Sequence, residues 1–526
     1  MKRINTITVC ILTAGIGSRM GVYATHFNKA ILPFRKKAII THIIEKFPKE
    51  TEFVIGLGYL GDQVRNYLNI AHPDLNFSFF NVDNYDQFGC GPGYSLLCCR
   101  KGLQKPFFFI SCDTIWEENL EQFVFDYNWM GVSLSLPDKH QEYCNLKIIN
   151  DNVDEIYDKS CVEGDQFKSF IGLMYIKDYD IFWKYLEQKT TVKGEVQVSS
   201  GIHGLLAESV VKSKSYSWID MGDIDKYKKN VSFYEDYDFS KTNEFFYQVN
   251  NSIIKVFSDP LITKTRYEKA TYNLNIFPPQ LKKIDQFMSY EYVNGHTLYQ
   301  QNNTKIFQNL MHWLSKNLWI KKAIDKKKFH NCCQEFYQKK TYARLALYEK
   351  KYGSDTKTMP INSFETDPIK KLLDIVPWNL LFNGEPYFIH GDLQFDNILI
   401  DQSNDNFVLL DWRQDFAGLI EIGDIYYDLA KLYGGIILNY DLIKKNLFNY
   451  FESDKEIFFD FATRYSFHNY IAILTKFVKN RSFDIFKVQL IVSLIYINMA
   501  PLHHYPFDKM LFSLGKRMLQ EVINQL

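Results

Sequence analysis

The sequence predicts an α/β protein in two parts: a mostly parallel sheet covered on both faces, then an α+β region with a short β lobe and a large helical lobe. Three observations carry this. Short apolar runs alternate with helical patterns over residues 1–235, as in a two-sided parallel sheet. From residue 245 the pattern changes to one hairpin followed by long helical stretches. A chain of 526 residues also exceeds what one hydrophobic core normally organises. Two domains are expected, at 1–235 and 245–526, divided by the charged, aromatic and aperiodic stretch between Tyr227 and Phe245.

In the first part Ile7–Leu12, Glu52–Gly56, Asn76–Asn81, Phe107–Ser111 and Gly131–Ser135 read as strands, with Ala38–Phe47 and Gly61–Leu68 as helices between them. Met1-Lys2-Arg3 ahead of an apolar run imitates a secretion signal. The run is short and breaks at Gly15 and Gly17, so it reads as a buried strand entering a phosphate loop. The second part opens with Phe245–Val249 and Ser252–Phe257, joined through Asn250-Asn251 as a hairpin. Thr304–Leu318, Lys327–Lys350, Tyr440–Phe451 and Lys455–Phe477 carry helical patterns. No stretch approaches the roughly eighteen uninterrupted apolar residues of a membrane helix, so no membrane insertion is expected.

Lys and Arg total 61, as do Asp and Glu, so no global field draws nucleic acid or an anionic membrane. The nine cysteines lack metal spacing, and the adjacent pairs Cys98-Cys99 and Cys332-Cys333 suit neither zinc nor an ordinary disulfide. Reduced thiols in a cytoplasmic protein are the expectation.

The stretch Leu12-Thr13-Ala14-Gly15-Ile16-Gly17-Ser18-Arg19-Met20 follows the first strand. A glycine-rich turn there offers backbone N–H groups to phosphate oxygens, and Gly15 and Gly17 permit close approach. Arg19 adds a fork of donors for a triphosphate. With Lys29-Ala30-Ile31-Leu32-Pro33 downstream, this resembles the sugar-phosphate nucleotidyltransferase pattern L-A-A-G-x-G-S-R-M with P-K-x-L, although Asn28 replaces the proline. Gly89-Cys90-Gly91-Pro92-Gly93 resembles that family's second, nucleobase-side glycine loop, Cys112-Asp113 its metal aspartate, and Trp218-Ile219-Asp220-Met221-Gly222 its W-x-D-x-G element. The resemblance covers roughly residues 7–228 and implies a Rossmann-like fold. It implies Gly15, Gly17, Ser18, Gly91 and Gly93 at the nucleotide, Arg19 and Lys29 neutralising phosphate charge, and Asp113 and Asp220 holding Mg²⁺. It also implies Lys159, Gly172 and Glu195 on the acceptor side, with Asp158 standing where the family's E-K element has glutamate. In that chemistry a phosphate monoester attacks the nucleotide α-phosphorus, and catalysis is mainly orientation and charge neutralisation.

Far downstream, Phe388-Ile389 leads into His390-Gly391-Asp392, Asn397 follows five residues after Asp392, and a strand Phe407–Leu410 delivers Asp411-Trp412. This resembles the H-G-D-x-x-x-x-N and D-W elements of the choline kinase and aminoglycoside phosphotransferase families, and implies a protein-kinase-like fold. By resemblance Asp392 accepts the proton of the substrate hydroxyl, Asn397 and Asp411 hold Mg²⁺, and ATP donates. Lys255 resembles the strand lysine that holds phosphates and Glu268 its ion-pair partner. Asp424 and Asp428 fall where they would cap or brace the catalytic loop, and His390 reads as structural. Trp412, with Tyr426, Tyr427 and Tyr433, is a candidate wall for a quaternary ammonium. No glycine-rich loop precedes Lys255, a departure from protein kinases.

Together the halves imply a bifunctional enzyme that phosphorylates a small alcohol with ATP and then activates the phosphate with a second nucleoside triphosphate, CTP favoured. CDP-choline or CDP-ethanolamine for capsule or lipopolysaccharide decoration is the implied product. Two alternatives share the motifs: a sugar kinase joined to a sugar-1-phosphate nucleotidyltransferase, and a nucleotidyltransferase with a non-catalytic kinase-like module. A homo-oligomer is compatible with either.

Overall fold

Residues 6–87, 89–119, 125–192, 194–234, 243–401, 406–464 and 466–526 are described here from a computed structural model. The chain forms two compact units. Met1–Glu235 with Ser240–Pro260 and Ile284–Ser289 makes the first, and Leu261–Lys283 with Tyr290–Leu526 makes most of the second.

The first unit is built on a nine-stranded sheet. Its order is Asn76–Asn81, Glu52–Leu57, Thr8–Leu12, Phe107–Ser111, Phe167–Ile176, Asn128–Ser133, Val211–Tyr216, Asn152–Asp158 and Cys144–Ile149. The first four of these run parallel, and Phe167–Ile176 is antiparallel to both neighbours. Both faces are covered over its centre, where Thr8–Leu12, Phe107–Ser111 and Asn128–Ser133 are almost wholly buried. Along Thr8–Leu12, Val9 and Ile11 enter one core while Cys10 and Leu12 enter the other.

Glu244–Val249 and Ser252–Phe257 form the expected hairpin. Its alternating apolar positions Phe245, Tyr247 and Val249 belong to the first unit's core. The Phe245 and Phe27 rings lie 4.5 Å apart, and the Tyr247 hydroxyl donates to Ile31 O at 2.6 Å. Packing therefore divides the chain differently from a single cut between residues 235 and 245, because this hairpin has an apolar face that the first core buries.

The second unit is mainly helical. Thr304–Asn317 forms as expected. The long helical pattern from Lys327 becomes Lys326–Cys333 and Lys340–Tyr352, joined without a break by a π-helical segment, Gln334–Lys339. Two expectations are corrected. Tyr440–Phe451 is helical only over Tyr440–Ile443, and Lys455–Phe477 only over Phe467–Asn480. Between them Phe448–Glu452 and Ile457–Phe461 pair as an antiparallel hairpin. Aromatic residues spaced by two around the turn at Ser453 favour a pleated ribbon over a helix. A third correction concerns Ile485–Leu502, which is long and apolar enough by composition to cross a membrane. Most of it is buried inside the protein, against Phe507–Ile523 and Ile425–Ile437. All nine cysteines are unbridged.

Candidate active sites

The first unit's candidate site is assembled where parallel strands end. Thr13 closes the first strand by donating through both its backbone N and its hydroxyl to Gly56 O, each at 2.9 Å. Gly17 adopts φ 69°, the left-handed region that glycine enters without strain. A side chain on Gly15 would meet nothing within 4 Å, so this stretch of backbone is open to an incoming group. Ser18 and Arg19 begin the short turn Ser18–Met20, with Arg19 exposed. Asn28, where the family pattern has proline, is buried and fully used. Its side chain donates to Thr13 O at 2.9 Å and Tyr59 O at 2.6 Å and accepts from Ala30 N at 2.9 Å. It ties the lysine segment to the phosphate loop by hydrogen bonds rather than by a fixed φ.

Lys29 Nζ donates to Asp113 Oδ2 in a short ion pair. Burial by itself would raise the Asp113 carboxyl, but Lys29, with a smaller contribution from Arg19, outweighs it and holds the group below its ordinary value. Burial likewise opposes charge on Lys29, and Asp113 overcomes it, so the ammonium is held above its ordinary value. The strand Trp218–Asp220 pairs with Thr114–Trp116, which sets Asp220 opposite Thr114. Met221 N donates to Asp113 O at 3.0 Å. A Cβ on Gly222 would stand 2.8 Å from Asp220 Oδ1 and 3.5 Å from Asp113 Oδ2, so both carboxylates face one point. Two hard oxygen donors converging beside a bare glycine fit Mg²⁺, with phosphate oxygens completing its shell. Among the described residues no cluster of three or more His, Cys, Asp or Glu suggests a further metal centre.

Sequence reasoning missed Lys226 and Tyr143. Lys226 Nζ lies 2.9 Å from Asp220 Oδ2 and 2.9 Å from Asp223 Oδ2, while Tyr143 OH donates to Asp220 Oδ2 at 2.5 Å. The signal for Lys226 is its place in the first turn of Ile224–Tyr234, six residues after Asp220. No local signal marks Tyr143.

The second glycine loop lies against the acceptor-side segment. Gly89 bridges Glu195 in parallel, and Cβ atoms on Gly91 and Gly93 would meet Val196 O at 2.7 Å and Gln197 O at 2.6 Å. Only glycine allows that approach. Lys159 Nζ lies 3.5 Å from Glu195 Oε2. Gly172 has φ 81°, and a Cβ there would meet Ser111 at 2.8 Å, next to Asp113.

The second unit's candidate site is one braced loop. Asp428 is buried in the first turn of Ile425–Ile437. It accepts from His390 N at 2.9 Å, Gly391 N at 2.7 Å and Trp319 Nε1 at 3.1 Å. His390 Nε2 contacts Leu410 O at 2.7 Å, and burial holds its imidazole down at about 3, so it stays neutral as a structural residue. Asn397 Nδ2 donates to Asp392 O at 2.8 Å, which leaves its amide oxygen as a hard donor. Leu410 N donates to Asn397 O at 2.8 Å, and the strands Ile398–Asp401 and Asn406–Leu409 bring Asp411 alongside, at φ 55°. The backbone pairing sets Asn397 opposite Leu410, next in the chain to Asp411, and an amide oxygen with a carboxylate are the hard donor types that suit Mg²⁺.

Lys431, which sequence reasoning missed, lies 2.8 Å from Asp392 Oδ1. Burial opposes ionisation of Asp392, but Lys431 prevails and the carboxyl is held at about 2. Lys269 is buried and donates to His390 O at 3.2 Å. Asp424 caps its helix at Tyr426 N and accepts from Tyr337 OH at 2.9 Å. The Glu268 carboxylate lies 3.9 Å from Lys264 Nζ, one helical turn back, and Lys255 sits mid-strand in the hairpin of the first unit.

Trp412 is corrected as an acceptor residue. It is 1% exposed, its indole N–H donates to Leu409 O at 3.0 Å, and its ring packs against Phe388 and His390. A ring committed to the core offers no face to a ligand.

Residues 9–128 match the MobA-like NTP transferase domain family, and residues 279–447 match the phosphotransferase enzyme family. A bifunctional protein GlmU of Methanocaldococcus jannaschii is 25% identical over 217 residues, covering 40% of this chain and 50% of that protein. A CTP:phosphoglutamine cytidylyltransferase of Campylobacter jejuni is 24% identical over 200 residues, covering 34% of this chain and 78% of that protein. Among solved structures, a CTP:phosphocholine cytidylyltransferase from Streptococcus pneumoniae is 17% identical with TM-score 0.36, covering 43% of this chain and 99% of its own. The chain spans about half the length of the GlmU relatives it matches. It carries a nucleotidyltransferase-like domain and a phosphotransferase-like domain.

Proposed function

We propose that this chain is a bifunctional enzyme that phosphorylates a small alcohol with ATP and then joins the phosphate to a nucleotide from a second triphosphate. The carrying observation is that each unit holds a charged site of its own, Lys29 with Asp113 and Asp220 in one, Asp392 with Asn397 and Asp411 in the other. In the first step the alcohol oxygen bonds to the γ-phosphorus, the bridging P–O bond to ADP breaks, and Asp392 takes the hydroxyl proton. In the second step a phosphate oxygen of the product bonds to the α-phosphorus of the second triphosphate and pyrophosphate leaves. Lys29 and Arg19 neutralise the charge that accumulates there. Mg²⁺, held by Asn397 and Asp411 in one site and by Asp113 and Asp220 in the other, would supply charge neutralisation of the phosphates.

CTP is the second triphosphate of this reading, supported by the cytidylyltransferase from Campylobacter jejuni among the relatives. The product class of this reading is a CDP-activated small alcohol for surface polysaccharide. The test is a screen of small alcohols and sugars with ATP, CTP and UTP, read by mass spectrometry. A CDP-linked product that needs ATP supports the proposal. Nucleotide transfer only to ready-made phosphates would reduce the second unit to a binding module.

A further inference from the structure

The end of the kinase-like site that would hold the alcohol is crowded with cations. Three surround the ring of Tyr427: Lys340 Nζ at 5.7 Å from its centroid, Lys431 Nζ at 5.9 Å and Arg413 Cζ at 6.0 Å. Lys340 also stands 4.2 Å over the Phe336 ring, and Arg413 4.9 Å from it. Arg344 follows Lys340 by one turn on Lys340–Tyr352. Phe336 lies in the π-helical segment Gln334–Lys339 that leads into Lys340. Such segments recur where a helix must re-aim side chains at a functional site.

Only Lys431 has an acidic partner in this group, Asp392 at 2.8 Å. Among the described residues no carboxylate lies within ion-pair reach of Lys340, Arg344 or Arg413. Arg413 spends its Nε on a backbone oxygen, Asp415 O, at 3.1 Å. Burial pushes the Lys340 ammonium well below its ordinary value, Arg413, Lys431 and Arg344 push it further, and Asp392 offsets them only in part. Several cations gathered about the single carboxylate of Asp392 leave an excess of positive charge, which costs stability unless a further anion joins them. The aromatic faces a quaternary ammonium would need are already covered by the protein's own cations.

We propose that Lys340, Arg344 and Arg413 seat an anionic group, a carboxylate or phosphate, carried by the alcohol that is phosphorylated. This rests on the kinase reading of the second unit. Asp392 is the group that meets the acceptor hydroxyl, and the cluster adjoins it through Lys431. The substrate class is therefore a hydroxy acid or phosphorylated alcohol, and choline is disfavoured by charge.

The test uses the full chain with three matched pairs: glycerate and glycerol, serine and ethanolamine, glycerol phosphate and choline. ADP release gives kcat and KM, and calorimetry gives binding. The anionic member should be favoured in kcat/KM by about tenfold or more in the pairs that react, and should bind more tightly in the others. Lys340→Met and Arg344→Met should raise the acceptor KM roughly 10- to 100-fold with the KM for ATP within about twofold. Lys340→Met should melt no lower than wild type, because removing one of several like charges relieves their mutual repulsion. Preference for choline, or a raised KM for ATP with an unchanged acceptor KM, would overturn the proposal; the latter would assign the cluster to the ATP phosphates. Failure of the kinase reading looks different: no ADP release with any alcohol, and anions bound equally by wild type and Lys340→Met.

Discussion

Lys431 Nζ stands 2.8 Å from Asp392 Oδ1, and the two are held on separate elements, a helix and the loop that Asp428 braces. The pair keeps the candidate base ionised, at about 2, inside a site whose burial would otherwise favour the neutral acid. Lys431→Met should therefore raise the Asp392 pKa and move the acid limb of the phosphorylation profile upward by about one unit or more. A pH–rate curve on that variant checks it, and an unmoved limb would separate Lys431 from the base.

Asp392→Asn removes the proposed proton acceptor while keeping the shape of the loop. Phosphorylation should fall at least about a hundredfold. Conversion of ready-made phosphate monoester to the nucleotide product should stay at the wild-type rate, measured by pyrophosphate release.

Asp113→Asn should have the converse effect. It removes one of the two carboxylates that face the point beside Gly222 and leaves Lys29 without its partner. Nucleotide transfer should be lost while ADP release continues. Loss of both activities in a folded variant would mean that the two chemistries share one site.

Gly93→Ala tests close packing rather than charge. The added Cβ would meet Gln197 O, a backbone atom, at 2.6 Å, so the glycine loop must move away from Glu195–Val196. Nucleotide transfer should drop with a raised KM for the triphosphate, and phosphorylation should not change.

His72 and His390 predict a pH dependence of stability. Burial holds them at about 4 and about 3, against roughly 6.5 in the unfolded chain. Both are neutral when folded, so the stability they contribute is present above about pH 6.5 and is lost as pH falls from there toward their folded values. His72 contacts Thr41 Oγ1 at 3.1 Å in the first unit. Thermal melts from about pH 7.5 to about pH 5 should show a fall in the melting temperature of that unit, and His72→Gln should flatten it.

Much of each candidate site is contiguous in the chain, and that part was legible. The loop from Gly15 to Arg19, the Asp220–Gly222 turn and the run from His390 to Asn397 are strings of residue types whose spacing already states a backbone shape. Strand and hairpin signals were legible for the same reason: periodicity acts over two to four residues. It failed over Phe448–Phe461, where aromatic residues suit a ribbon as well as a helix and cross-strand pairing made the choice.

The sequence by itself determined the order of the elements, the two glycine loops and the carboxylates that end the strands. The tertiary structure decided which cation meets each of them. Lys29 and Asp113 are 84 residues apart, Lys431 approaches Asp392 from another element, and Lys226 and Tyr143 converge on Asp220 from different parts of the first unit. It also decided that Trp412 belongs to the core, that Asn28 replaces a proline by hydrogen bonding, and that Arg344, Arg413 and Lys431 gather around Lys340 near the candidate base Asp392. The physical reason is range. Backbone conformation follows from neighbours in the chain, whereas Coulomb energy and desolvation follow from distance and burial in space, which no local pattern records.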